Sequence, residues 1–209
     1  MDRINRIVLP ENADGALITS DINRRYFTGM KSSAGMLLIF KECAYLIIDF
    51  RYIEKARNTV KNCTVMEQEN LTEQINSLMK KHNAKSLAVE SMDMTLSRMS
   101  FLEKKFPDIE FIKSDELSNN IYDMRTIKST EEIEKIHKAQ KIAEKAFDEI
   151  LGFIRPGVTE REIALKLDNC MLENGAEGLS FETIALAGAN TSMPHGVPGN
   201  YKVKNGDFV

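Results

Sequence analysis

The chain has 209 residues, of which 43% are hydrophobic and 28% charged. That is enough apolar material for one large or two modest globular cores, and it excludes a disordered or fibrous chain. With 28 basic against 31 acidic residues the formal net charge is −3, so no cationic excess points to nucleic acid or to a membrane surface.

Three widely spaced cysteines, Cys43, Cys63 and Cys170, make neither a disulfide framework nor a zinc motif and suit a reducing compartment. The stretch 1–6 lacks the long apolar segment of a signal peptide. No later run approaches the ~20 apolar residues of a membrane span, so the expected location is cytoplasmic.

Along the first ~120 residues, strand-like and helix-like periods alternate in the manner of a layered α/β domain. Strands are predicted at 15–19, 35–40, 44–50, 64–67, 86–90 and 109–112. Helices are predicted at 51–60, at 72–81, where Ile75, Leu78 and Met79 share a face, and at 95–106. Lys41-Glu42 leaves no room for a crossover, so the strands on either side form an antiparallel hairpin in an otherwise mixed sheet.

The polar stretch 118–122 marks a composition shift, and it places a domain boundary between residues 122 and 123. Beyond it, Ser129 with Glu132 makes a capping box. Ile133, Ile136, Ala139, Ala143, Ala146, Phe147 and Ile150 then recur at helical spacing. Pro156-Gly157 breaks the chain, Thr159 with Glu162 makes a second capping box, and Gly175 suits a left-handed helix cap. Phe181, Ile184, Leu186 and Gly188 read as an apolar strand. Tyr201 and Val203 alternate with Lys202 and Lys204 ahead of an Asn205-Gly206 turn, a hairpin whose second strand is cut short after Val209. The expectation is the front part of a longer protein, with a self-sufficient first domain and a poorly packed second one.

Several of these segments resemble a known family. Arg125 with Ile127-Lys128-Ser129, then Arg155-Pro156-Gly157-Val158-Thr159-Glu160, then Ser180-Phe181 leading through Gly188, Asn190 and Pro194-His195-Gly196 to Gly206-Asp207, resemble the front half of the pita-bread domain of Xaa-Pro aminopeptidases and prolidases. Upstream, Asp21-Ile22-Asn23 before Tyr26-Phe27-Thr28-Gly29, and Asp49 before Arg51-Tyr52, resemble the creatinase-type amino-terminal domain of the same enzymes. The resemblance implies a creatinase-type α/β domain with an RNase H-like mixed sheet at 1–122, followed by an incomplete α+β pita-bread domain at 123–209.

It also implies a homodimeric hydrolase that acts on proline-containing peptides or dipeptides with two divalent metal ions, commonly manganese. In the family the metals are held by two aspartates, one histidine and two glutamates. By the pattern of Gly206-Asp207 the first of these falls about three residues past Val209. No metal ligand is therefore expected in this chain, and alone it is expected to be inactive. His195 matches the family histidine that lies outside the metal shell and hydrogen-bonds substrate, a role suited to imidazole near neutral pH. Arg51 is a candidate substrate contact at a neighbouring subunit's site, set against an ordinary ion pair with Asp49.

His82 and His137 read as structural or solvent-facing. The eleven methionines are scattered and fill gaps in the cores. Two other functions share the fold, a creatinase-like amidinohydrolase and a non-catalytic peptide- or protein-binding relative.

Overall fold

The computed structural model describes residues 3–209, so Met1 and Asp2 of the amino-terminal stretch considered above lie outside the described residues. The chain divides into two compact units, one up to Ile127 and one from Lys128.

In the first unit a six-stranded sheet has the order β4-β3-β2-β1-β5-β6. Its strands are β1 (Gly15–Ile18), β2 (Met36–Phe40), β3 (Ala44–Ile48), β4 (Thr64–Glu67), β5 (Ser86–Val89) and β6 (Glu110–Ile112). The helices are α1 (Asp21–Thr28), α2 (Ile53–Thr59), α3 (Leu71–Lys81), α4 (Leu96–Lys105) and α5 (Glu116–Thr126). β2 pairs antiparallel with both β1 and β3, and the other pairings are parallel. The Lys41-Glu42 hairpin is present, with the Phe40 N–H donating to the Cys43 carbonyl at 2.8 Å.

Side-chain alternation along the strands builds two cores. Ala16, Ile18, Leu37, Ile39, Leu46 and Ile48 face Phe27 of α1, Ile53 and Ala56 of α2, and Leu117, Ile121 and Met124 of α5. Leu17, Met36, Leu38, Phe40, Tyr45 and Ile47 face Ile75, Leu78 and Met79 of α3 and Met99 and Leu102 of α4. Because both faces are covered, the central strands read as unbroken apolar runs. The polar stretch at 118–122 lies inside α5, where Leu117, Ser118, Ile121 and Met124 are buried and Asn119 and Asn120 occupy the other face.

Glu90, fully buried just past β5, accepts the N–H groups of Thr19 (2.6 Å) and Ser20 (3.0 Å) and Nδ2 of Asn23 (2.7 Å). It thereby closes the β1–α1 connection. Burial pushes its carboxyl above the ordinary value against the pull of these bonds. Arg125 donates to Asn23 Oδ1 at 3.0 Å, which ties the end of α5 to the same network.

The second unit holds α6 (Thr130–Leu151) and α7 (Glu160–Glu173). Both capping boxes form: Ser129 and Thr159 accept from the N–H groups of Glu132 and Glu162, whose side chains reach back. α7 ends in a Schellman motif. The Gly175 N–H donates to Leu172 O and the Ala176 N–H to Met171 O, each at 3.0 Å, with Gly175 at φ 93°.

Two sequence expectations are corrected here. The apolar segment 181–188 forms no strand, although Ala185, Leu186 and Ala187 are buried. Nor do residues 201–204 form a hairpin arm; their one β-bridge is Thr159 to Lys202. The reason is competition for backbone partners. The 199–203 stretch lies along the entrance to α7, where Gly157 N donates to Val203 O (2.8 Å), Val203 N to Val158 O (2.9 Å), Glu160 N to Tyr201 O (3.1 Å) and Arg161 N to Gly199 O (3.1 Å). Two of these bonds satisfy N–H groups that the first turn of a helix leaves without intrahelical acceptors. The Asn205-Gly206 turn does form, with Asp207 Oδ2 accepting from Lys204 N (2.8 Å) and Tyr201 OH (3.0 Å).

The core of this unit is small: Ile150, Val158, Ile163, Ala164, Ala185, Ala187 and Val203. Of the stripe read along α6, only Ala146 and Ile150 are buried, while Ile133, Ile136 and Phe147 are 44%, 53% and 59% exposed.

Candidate active-site loop

The segment 187–199 leaves the small core, passes through a 3-10 turn (Gly188–Ser192) and returns to the start of α7. Within it the Met193 N–H donates to Asn190 O and the Gly196 N–H to Met193 O, both at 3.0 Å. The second bond closes a tight turn over Met193-Pro194-His195-Gly196, with His195 at its outer corner and exposed. Gly196 packs closely: a Cβ there would lie 2.6 Å from Leu186 Cδ1, so any side chain at this position has to displace the end of Leu186. His195 borders a cavity of about 530 Å³ whose other walls include Phe181, Ile184, Val197 and Pro198, with Glu182 and Thr183 as polar neighbours.

What anchors this loop is Glu160, the first residue of α7, whose side chain is 1% exposed. Oε1 accepts the Ala187 N–H at 2.8 Å and Asn190 Nδ2 at 2.9 Å, and Oε2 accepts the Gly199 N–H at 2.9 Å. Burial alone would push this carboxyl up. The bonds from Asn190, Ala187 and Gly199 outweigh burial and hold it below its ordinary value, so it is a carboxylate at neutral pH.

Sequence reasoning passed over this function of Glu160, because an acid in the first turn after a Thr cap already has an explanation in the helix dipole. No local pattern marks the bonds it makes to residues 27 and 39 positions further along the chain.

Arg51 lies just past β3 and forms a two-pronged pair with Asp49: Nε to Oδ1 at 3.2 Å and to Oδ2 at 3.1 Å, and Nη2 to Oδ2 at 2.6 Å. The Arg51 bonds hold the Asp49 carboxyl below its ordinary range. Asp49 itself borders a second cavity, of about 610 Å³, beside Thr19, Gly35 and Arg98 in the first unit. His82 is structural as expected, stacked on Phe40 with ring centroids 4.4 Å apart and bonded to Tyr45 OH at 2.9 Å. Cys170 is fully buried in α7, and burial pushes its thiol up.

Among the described residues no group of three or more His, Cys, Asp or Glu side chains is gathered so as to hold a metal ion, so these side chains do not themselves fit a metal centre. Nor is any helix among them long and apolar enough to cross a membrane.

Comparison with known proteins agrees with this anatomy. Residues 1–127 match the Creatinase/Prolidase N-terminal domain family and residues 134–209 match Metallopeptidase family M24. An uncharacterized peptidase of Bacillus subtilis is 36% identical over 197 residues, 94% of this chain and 55% of that protein. Among solved structures, an X-Pro aminopeptidase from Thermotoga maritima superposes with a TM-score of 0.88 at 32% identity, over 99% of this chain and 58% of its own. An Xaa-Pro dipeptidase from Bacillus anthracis does so with a TM-score of 0.86 at 34% identity, over 94% and 54%. The chain thus spans little more than half the length of the relatives it matches. By fold, by matched regions and by relatives, the chain belongs to the Xaa-Pro aminopeptidase and prolidase family, with a creatinase/prolidase N-terminal domain followed by part of an M24 domain.

Proposed function

We propose that the protein containing these 209 residues hydrolyses the peptide bond that precedes proline, as an aminopeptidase or dipeptidase, and that His195 contacts the substrate. The observation that carries this reading is His195 on a braced, exposed turn at the rim of an apolar-walled cavity. Phe181, Ile184, Val197 and Pro198 offer the flat hydrophobic surfaces that suit a prolyl ring. An imidazole N–H at the rim can donate to the scissile carbonyl and hold the charge that grows on its oxygen as the bond is attacked.

The reading places the two divalent ions, manganese by expectation, on side chains in the remaining length that the relatives possess. It therefore takes the 209 residues alone to be inactive. It places the parent in the cytoplasm and makes it a homodimer. Arg51 then serves either a neighbouring subunit's site or only its pair with Asp49.

Turnover of Xaa-Pro dipeptides and Xaa-Pro-Xaa tripeptides by the parent protein, with and without added manganese, tests this directly. His195→Ala is expected to lower kcat by about 10²- to 10³-fold, the cost of losing one donor to a developing oxyanion. Turnover of creatine instead would favour the amidinohydrolase, and binding of peptides without cleavage the non-catalytic relative. Stoichiometric metal and activity in the 209-residue chain would overturn the placement of the metal centre.

A further inference from the structure

Glu160 has no expected part in the chemistry, yet it is a buried acid with both carboxylate oxygens engaged. It has a 1% exposed side chain and three N–H donors around its two oxygens. Those donors are not scattered. Ala187 opens the segment 187–199 and Gly199 closes it, so one carboxylate pins both ends of the loop that carries His195.

The third donor sets the loop's middle. Asn190 gives its side-chain N–H to Oε1 and accepts the Met193 N–H at its own carbonyl, and Met193 in turn accepts the Gly196 N–H across the His195 turn. A continuous chain of hydrogen bonds therefore runs from Glu160 through Asn190 and Met193 to the backbone that flanks His195. The segment joins no sheet, and besides the Glu160 bonds its backbone reaches the rest of the second unit through Gly188 N to Phe208 O at 2.9 Å and Arg161 N to Gly199 O at 3.1 Å.

We infer that Glu160 is the positioning residue for His195, fixing the loop so that the imidazole meets the substrate in one geometry. The carboxylate suits this task because it only accepts, and all three of its partners only donate. A glutamine at 160 would turn an NH2 group toward at least one of them. The buried N–H facing that group would lose its acceptor, and the loop would loosen at that end. This inference rests on the reading of His195 as a substrate contact.

The test is a double-mutant cycle in the parent enzyme, scored by kcat and KM on an Xaa-Pro dipeptide. Glu160→Gln is expected to lower kcat on the order of 10- to 100-fold, the penalty for a catalytic group displaced by about 1 Å, with KM little changed. Combined with His195→Ala it should add almost nothing to the loss from His195→Ala alone, because both changes remove the same contact. A merely structural Glu160 would instead give multiplicative losses, or a loss that tracks the folded fraction; either result overturns the inference. So does wild-type kcat in Glu160→Gln. Asn190→Ala, which removes one of the three donors and leaves the carboxylate, guards against a Glu160 variant that fails to fold and should show a smaller loss with the same non-additivity.

If wild-type protein cleaves no Xaa-Pro substrate, the functional reading fails by itself. The positioning claim is then decided in the 209-residue chain by the His195 ring proton resonances. Shifted or broadened signals in Glu160→Gln with unchanged helix signals support it, and unchanged ring signals contradict it.

Discussion

Each of the two units keeps one buried glutamate that accepts three N–H donors, and the surroundings make the two behave in opposite ways. Glu90 closes a connection already fixed by six strands and two cores, and burial raises its pKa. Glu160 stands in a unit with no strand among its described residues. It accepts N–H groups at both ends of 187–199, and its donors hold its pKa down. The comparison teaches that a buried carboxylate beside a ladder adds to order the sheet already supplies, whereas one outside a ladder is a principal tie for its loop.

The largest effect that could break this comparison belongs to the first unit. Leu38→Ala, at a fully buried site in the middle of β2, is expected to cost about 2–5 kcal/mol in denaturant unfolding of that unit and to leave the environment of His195 unchanged. A matching change at His195 would show that the units do not keep separate accounts of stability. A smaller effect sharpens it. Gly196→Ala forces a Cβ against Leu186 and is expected to cost about 1–3 kcal/mol, felt in the second unit as a shift of the His195 ring signals. An unperturbed loop would mean that Leu186 yields and that the close packing does not hold the turn.

The first unit was legible in the sequence because its signals were local and agreed with one another: unbroken apolar strands, amphipathic helices between them, and a two-residue hairpin connection at Lys41-Glu42. Caps were legible for the same reason, since Ser129 with Glu132 and Thr159 with Glu162 satisfy donors three residues away. The strand read at 181–188 failed. Apolar content there reported burial of Ala185, Leu186 and Ala187 correctly, but a strand also needs a partner edge, and 201–203 had found one at the mouth of α7. The stripe on α6 likewise named apolar residues without saying what covers them. His195 could be singled out from Pro194-His195-Gly196, while its anchor, 35 positions earlier in the chain, could not, because contacts between Glu160 and the N–H groups of Ala187 and Gly199 leave no periodic trace in sequence.

The most direct test of the central claim, that one ionised carboxylate holds the His195 loop, is site-resolved amide hydrogen exchange on the 209-residue chain as pH is lowered. Glu160 has a folded pKa below its ordinary value of 4.5, so its stabilisation is complete above that value and is lost as pH falls through the folded one. Glu90, with its raised pKa, carries the opposite sign, and its protonation relieves a burial cost in the first unit. Protection at the Ala187 and Gly199 amides should therefore be lost as pH falls below 4.5, ahead of the Leu38 and Leu46 amides of the sheet. Loss of all four together, or loss at Leu38 and Leu46 before Ala187 and Gly199, would contradict the account.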